Sequence, residues 1–175
     1  MLFKEGDYIF YGSGGICRID SITEMPFEGA REGVPYYVLH TLSEPRQVIF
    51  NPTVNDKVLM RAVMTKKDTK ELLDSLGDLE PFEAQSAKLL REKYIAAIKS
   101  GLPAEWVKIL VTYEKRRLAA EMHLVRVTEA ERGFYTQALS LLAAETALVE
   151  GISLIEASAL FSQALKRTLQ KADEH

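Results

Sequence analysis

Cysteine is almost absent from this 175-residue chain: Cys17 stands alone. One thiol allows no internal disulfide and no multi-cysteine metal site, which fits a reducing compartment. Long apolar runs are missing too. None reaches transmembrane length, and the Met1-Leu2-Phe3-Lys4 start lacks a signal-peptide hydrophobic region, so a soluble, cytoplasmic protein is expected. Excess positive charge is also lacking. A formal net charge of −3 and a pI near 5.7 argue against non-specific coating of nucleic acid, which takes many phosphate-neutralising Lys and Arg side chains. Local basic patches stay open. There is no internal repeat and no low-complexity tract. A composition of 47% hydrophobic and 27% charged residues is that of a globular protein, in one ordinary domain or two small ones.

Constellations that carry chemistry are scarce as well. His40, His123 and His175 are far apart, and none has a metal-ligand spacing with another His, Cys or acidic pair. Cys17 lies in a predicted strand with no helix N-terminus to lower its pKa, which points to a buried, inert thiol. No Gly-x-Ser-x-Gly occurs, and Ser13, between glycines, is flanked by strands rather than by a strand and a helix. Carboxylates alternate with Lys and Arg on helices, the pattern of solvated faces. No active site emerges, and an enzyme, a cofactor or a bound metal is not expected.

What is present begins with the opening segment. Tyr8 to Tyr11 are aromatic or β-branched, and Gly12, Ser13, Gly14 and Gly15 permit a tight reversal before Ile16 to Ile22 resume an extended pattern. A phosphate-binding loop would open a helix after the glycines, whereas here a strand follows and no Gly-Lys-Ser/Thr occurs. The reading is a hairpin. Further strands are predicted over Tyr36 to Leu42, Gln47 to Phe50 and Val58 to Val63, with a long turn from Met25 to Pro35. Five short strands imply a small barrel.

At Thr65 the hydrophobic period becomes helical and stays so. Thr65 can cap a first helix ending at Gly77, Pro81 can start a second ending at Gly101, and Pro103 can open a third. Thr128-x-x-Glu131 and Ser153-x-x-Glu156 match the capping box and mark helices four and five. The fold class expected is α+β in two segregated domains: a Tudor/SH3-like five-stranded barrel over 1–64, then an all-α bundle of about five helices over 65–175.

Two surfaces are candidates for binding. Arg46, Gln47, Val48, Ile49 and Phe50, bracketed by Pro45 and Pro52, read as an exposed edge strand able to accept a partner strand. The alternative is an internal strand with inward Val48 and Phe50. The second surface is basic: Lys108, Lys115, Arg116 and Arg117 on helix three, Lys88 and Arg91 on helix two, and Arg126 beyond. Phosphate contact and a solvated face are both open, and successive residues about 100° apart on a helix keep Lys115, Arg116 and Arg117 from touching one backbone together. Trp106 shares a stripe with Ile109, Leu110 and Tyr113, which favours a core role over an exposed wedge.

The opening Phe-Lys-x-Gly-Asp, with Tyr11, Gly15, Ile19, the Tyr36-Tyr37-Val38-Leu39 strand, the Asn51-Pro52 ending and an all-helical remainder, resembles the CarD/CdnL family of bacterial transcription regulators over almost the full length. The resemblance implies an N-terminal Tudor-like module, also found in the transcription-repair coupling factor, that docks on the RNA polymerase β subunit through the strand holding Arg46 to Asn51. It further implies a helical domain that contacts promoter DNA and stabilises the open complex. Two docking arginines of well-known members fall at Met25 and Phe50 here, and the tryptophan that wedges into DNA falls at Ala87. Phe82 is the nearest aromatic that can substitute. The family therefore implies a polymerase-docked regulator with Phe82, Lys88, Arg91, Lys115, Arg116 and Arg117 toward promoter DNA. The second reading is a docking adaptor whose helical domain touches no DNA.

Overall fold

The computed structural model describes residues 2–12, 14–24, 26–55 and 57–173; Ser13, Met25 and His175 lie outside the described residues. The chain forms two compact units, one ending at Val63 and the other beginning at Met64.

The first unit is a five-stranded antiparallel sheet. Its strands are β1 (Tyr8–Tyr11), β2 (Gly15–Glu24), β3 (Pro35–Thr41), β4 (Val48–Pro52) and β5 (Met60–Ala62), in the order β4-β3-β2-β1-β5. The expected hairpin joins β1 to β2, with Tyr11 opposite Gly15. Two of its three glycines serve different ends. Gly15 supplies the positive φ of +67°, whereas Gly14 sits in close packing, where a Cβ would lie 2.9 Å from Ile49 Cδ1 and oblige that side chain to shift. The Lys4-Glu5-Gly6-Asp7 entry is a turn in which the Asp7 carboxylate accepts from the Lys4 N–H at 2.9 Å, and Gly6 at φ +86° donates to the Ile19 carbonyl at 2.7 Å.

Alternation decides which side chains fill the unit. Ile9, Tyr11, Cys17, Ile19, Tyr37 and Leu39 are buried on the inner face, with Phe3, Ile22, Ile49, Val58 and Met60 packed on them. Among the described residues β4 and β5 share no ladder. Side chains approach instead: Asn51 Nδ2 on β4 lies 3.1 Å from Met60 Sδ on β5, and Asn51 Oδ1 lies 3.4 Å from the Tyr11 hydroxyl. The sheet is thus closed by side chains, and among the described residues the outer backbone edge of β4 has no partner strand.

The second unit holds α1 (Lys66–Asp74), a 3-10 turn (Ser75–Gly77), α2 (Ala87–Ser100), α3 (Pro103–Glu121), α4 (Glu129–Glu150) and α5 (Leu154–Asp173). The capping reading holds at Thr65, at Thr128 with Glu131, and at Ser153 with Glu156. Gly101 and Gly151 end α2 and α4, both at φ +66°. One boundary differs. The second helix starts at Ala87 rather than Pro81, because Ser86 is its N-cap and the backbone before it is engaged elsewhere: the Phe82 N–H donates to Thr112 Oγ1 at 2.8 Å, and the Lys93 ammonium donates to the Glu83 carbonyl. Trp106 is fully buried, with Tyr94, Ile109, Leu110, Leu142, Phe161 and Leu165. No single helix among the described residues is long and apolar enough to cross a membrane.

Burial pushes the Cys17 thiol up to about 11. Its folded pKa lies above its unfolded one, so the folded state keeps the proton through a window where the unfolded chain has lost it, and this group's contribution to stability falls as pH rises from about 9 to about 11. Iodoacetamide at pH 8 is expected to leave native Cys17 unlabelled and to label it rapidly in urea; fast native labelling, read by intact mass, would show that the inner face is open.

Candidate docking edge and basic surface

β4 lies at one end of the sheet with only β3 beside it. The register sets His40 opposite Val48, Leu39 opposite Ile49, Val38 opposite Phe50 and Tyr37 opposite Asn51. Because Leu39 and Tyr37 face the core, Ile49 and Asn51 do too, while Val48 and Phe50 point out, at 40% and 39% exposure. The alternative of an internal strand with inward Val48 and Phe50 is therefore corrected: side-chain parity places them on the outer face. Arg46 and Gln47 are exposed and precede the strand.

The outer face beside this edge is largely aromatic. Phe27, from the long β2–β3 connection, sits with its ring centroid 5.5 Å from Phe50 and 5.4 Å from Tyr36. Beyond Val48 the surface becomes charged. A β-bulge, where the register moves from Ile19 to Ser21, carries Asp20 against its neighbours: Asp20 Oδ2 is 2.6 Å from His40 Nδ1, and Oδ1 is 3.5 Å from Arg18. Sequence reasoning missed both features, since neither the loop's fold-back nor the bulge leaves a local signal.

The structure divides the expected basic cluster in the helical unit. Arg116 is committed to the fold: its guanidinium donates to Glu131 Oε2 at 2.7 Å, to Oε1 at 3.2 Å and to the Arg126 carbonyl at 3.1 Å. The Glu131 hydrogen bond holds its pKa above the ordinary arginine value. Arg117 is paired with Glu114 at 2.8 Å and with Glu121. Among the described residues Lys88, Arg91, Lys115 and Arg126 make no ion pair, and all four are exposed. Phe82 is half-buried, its ring 5.9 Å from Tyr94 and capped by the Lys108 ammonium at 4.7 Å. A groove of about 340 Å³ brings Phe82, Lys115 and Arg116 together with Leu90 and Ala119, whereas Arg117 lines a separate cleft of about 540 Å³ with Tyr135, Ser162 and Lys166. Ala87 is exposed in the first turn of α2 and offers DNA nothing to insert.

Comparison with known families identifies the first unit. Residues 3–64 match the CarD-like/TRCF RID domain. A domain of that kind, similar to the one in CarD-like proteins, therefore occupies the first unit. No curated protein matches the chain. RID domains are protein-interaction modules that bind the RNA polymerase β subunit in known members, and among the proteins carrying them are the transcription-repair coupling factors, which are helicases. The match ends where the sheet ends. The helical unit lies outside it, so the family resemblance read over nearly the whole chain is shown for the RID domain alone. Within that domain, Phe50 is an aromatic on the outer face of β4, so nothing ionic is built there. Among the described residues no group of three or more His, Cys, Asp and Glu side chains is arranged to hold a metal.

The two paired arginines differ in exposure, and their removal should differ accordingly. Glu131 is only 7% exposed, so Arg116→Ala strands a buried carboxylate and is expected to cost about 2–4 kcal/mol. Arg117→Ala breaks more solvated pairs and should cost under about 1 kcal/mol. Urea denaturation of the two variants measures the difference; equal losses would show that Glu131 finds another partner.

Proposed function

We propose that this chain is a transcription regulator that docks on the RNA polymerase β subunit by adding a strand to the free edge of β4, and so holds its helical unit beside promoter DNA, where it modulates open-complex stability. The carrying observation is that the domain matching an RNA polymerase-interacting family has an unpaired backbone edge, on β4, preceded by exposed Arg46 and Gln47. Main-chain hydrogen bonds to such an edge supply affinity, and alternate side chains supply specificity.

Tethering accounts for the acidic pI near 5.7. A unit held next to DNA has a high effective concentration, so a few phosphate contacts suffice where a free binder needs many. Lys88, Arg91 and Lys115 are the cations best suited to those contacts, because their charge is not consumed within the fold. Phe82, Arg116 and Arg117 are weaker members of the same set, since each already has an intramolecular partner.

The adaptor reading draws on one observation: Ala87 is too small to insert, and the aromatics nearest to it in sequence, Phe82 and Tyr94, pack on each other within the unit. On that reading the RID domain still docks and the helical unit recruits a protein or nothing.

Two measurements separate these readings. Hydrogen exchange of the full-length chain with and without RNA polymerase should show new protection at the β4 amides; unaltered exchange there would rule out strand addition. Promoter open-complex lifetime should change severalfold on adding wild-type protein, and Lys88→Ala, Arg91→Ala and Lys115→Ala combined should remove most of that effect. Lifetimes identical with and without the wild-type protein would favour the adaptor.

A further inference from the structure

A strand added to β4 would meet more than its backbone. Cross-strand neighbours sit about 4.5–5.5 Å apart and side chains alternate between faces, so every second residue of the added segment must lie beside Val48 and Phe50 on the outer face. That face has a defined chemistry. Phe50 is flanked by Phe27 at 5.5 Å, with Val38 opposite it on β3 and Tyr36 beneath Phe27 at 5.4 Å. Phe27, Val48 and Phe50 keep 40%, 40% and 39% of their exposure. Three apolar side chains thus stand half in water on a surface continuous with an unpaired edge.

Anchoring of the β2–β3 connection explains only part of this. The contact of Phe27 with Tyr36, which leaves Tyr36 just 4% exposed, would hold the loop by itself. It does not call for an aromatic at 50 or a valine at 48, where a solvated strand tolerates threonine equally well. Past the Val48 end of this face Asp20 lies 2.6 Å from His40 Nδ1 and 3.5 Å from Arg18. An acidic partner side chain laid beside Phe50 would be desolvated against two rings, and that costs free energy. An aliphatic or aromatic one would gain by burial.

We propose that Phe27, Val48 and Phe50 form an apolar platform that reads the docked strand. Its occupant is an extended segment of the RNA polymerase β subunit whose residues facing Val48 and Phe50 are aliphatic or aromatic. This rests on the docking function proposed above and specifies its selectivity: main-chain bonds hold the segment, apolar contact selects it, and salt has little to screen.

The test measures binding of the purified β subunit to the captured full-length chain, for wild type, Phe50→Thr and Val48→Thr, at about 0.1 M and about 0.5 M NaCl. Threonine keeps strand propensity while removing apolar surface, and both sites are half-exposed, so thermal midpoints should stay unchanged; should one variant unfold, the other carries the test. Wild-type affinity is expected to change less than about twofold with salt, and each variant to bind about tenfold more weakly, equivalent to ~1.4 kcal/mol. Undiminished binding by both variants, or a tenfold loss of wild-type affinity in salt, overturns the platform and leaves strand addition standing. No binding by wild type overturns docking itself, and the platform with it.

Discussion

Asn51 is the residue on which the shape of the RID domain and its candidate surface both depend. It occupies an inward position where an apolar side chain is the usual choice, and it is 3% exposed. Its carboxamide is satisfied there: Nδ2 donates to the Pro52 carbonyl at 3.0 Å and reaches Met60 Sδ, while Oδ1 lies within reach of the Tyr11 hydroxyl. A buried amide that finds all of these partners in only one arrangement specifies register. Strand alternation then does the rest. With Asn51 inward, Phe50 and Val48 are outward, and Ile49 packs closely over Gly14. A slip of one residue would bury Phe50, expose Ile49 and orphan the amide. Closing the sheet through side chains rather than a fifth ladder is also what leaves the β4 backbone open to a partner.

In the helical unit the corresponding constraint is the pairing of charge. Glu131 is both the closing residue of the α4 capping box, at the third position of the helix, and the partner of Arg116, so one carboxylate fixes the start of α4 and joins α3 to it. Glu145, fully buried, accepts from the Met64 N–H at 2.9 Å and secures the first residue of the unit. Burying a carboxylate costs several kcal/mol unless its hydrogen bonds are made, so such groups tie specific backbone positions in place. The consequence for binding is a selection among cations. Those matched by carboxylates maintain the fold, and those left over are available to phosphate.

Much of this was legible in the residues themselves. Strand and helix order, the caps at Thr65, Thr128 and Ser153 and the buried Trp106 follow from local chemistry, which acts within four residues and leaves a pattern in the sequence. The second helix start was not legible, because Pro81 is a good first residue and only the long-range bond from the Phe82 N–H to Thr112 diverts the backbone. The inward or outward sense of β4 was undecidable for a related reason: Val48, Ile49 and Phe50 are all apolar, and an asparagine two positions beyond Ile49 does not advertise that it is buried. The basic cluster could be counted but not sorted, since Arg116 meets Glu131 fifteen residues away, across a helix–helix contact.

These two constraints imply different responses to salt in the two halves of the proposed mechanism. Val48 and Phe50 make the outer surface of β4 apolar, and the hydrogen bonds an added strand would make are between neutral groups, so ionic strength would have little purchase on the proposed docking. Contact with DNA would rest instead on the unpaired cations Lys88, Arg91 and Lys115, and counterion release by three phosphate contacts gives a salt slope of about −2 to −3 on log–log axes. For a free protein that slope would abolish binding at moderate salt. For a unit held at high local concentration by a salt-indifferent anchor, the same slope changes the fraction of time spent on DNA without releasing the protein from the polymerase. An acidic chain is suited to that proposed division: surplus carboxylates would weaken independent binding to DNA, and the anchor would determine where unpaired lysines and arginines act.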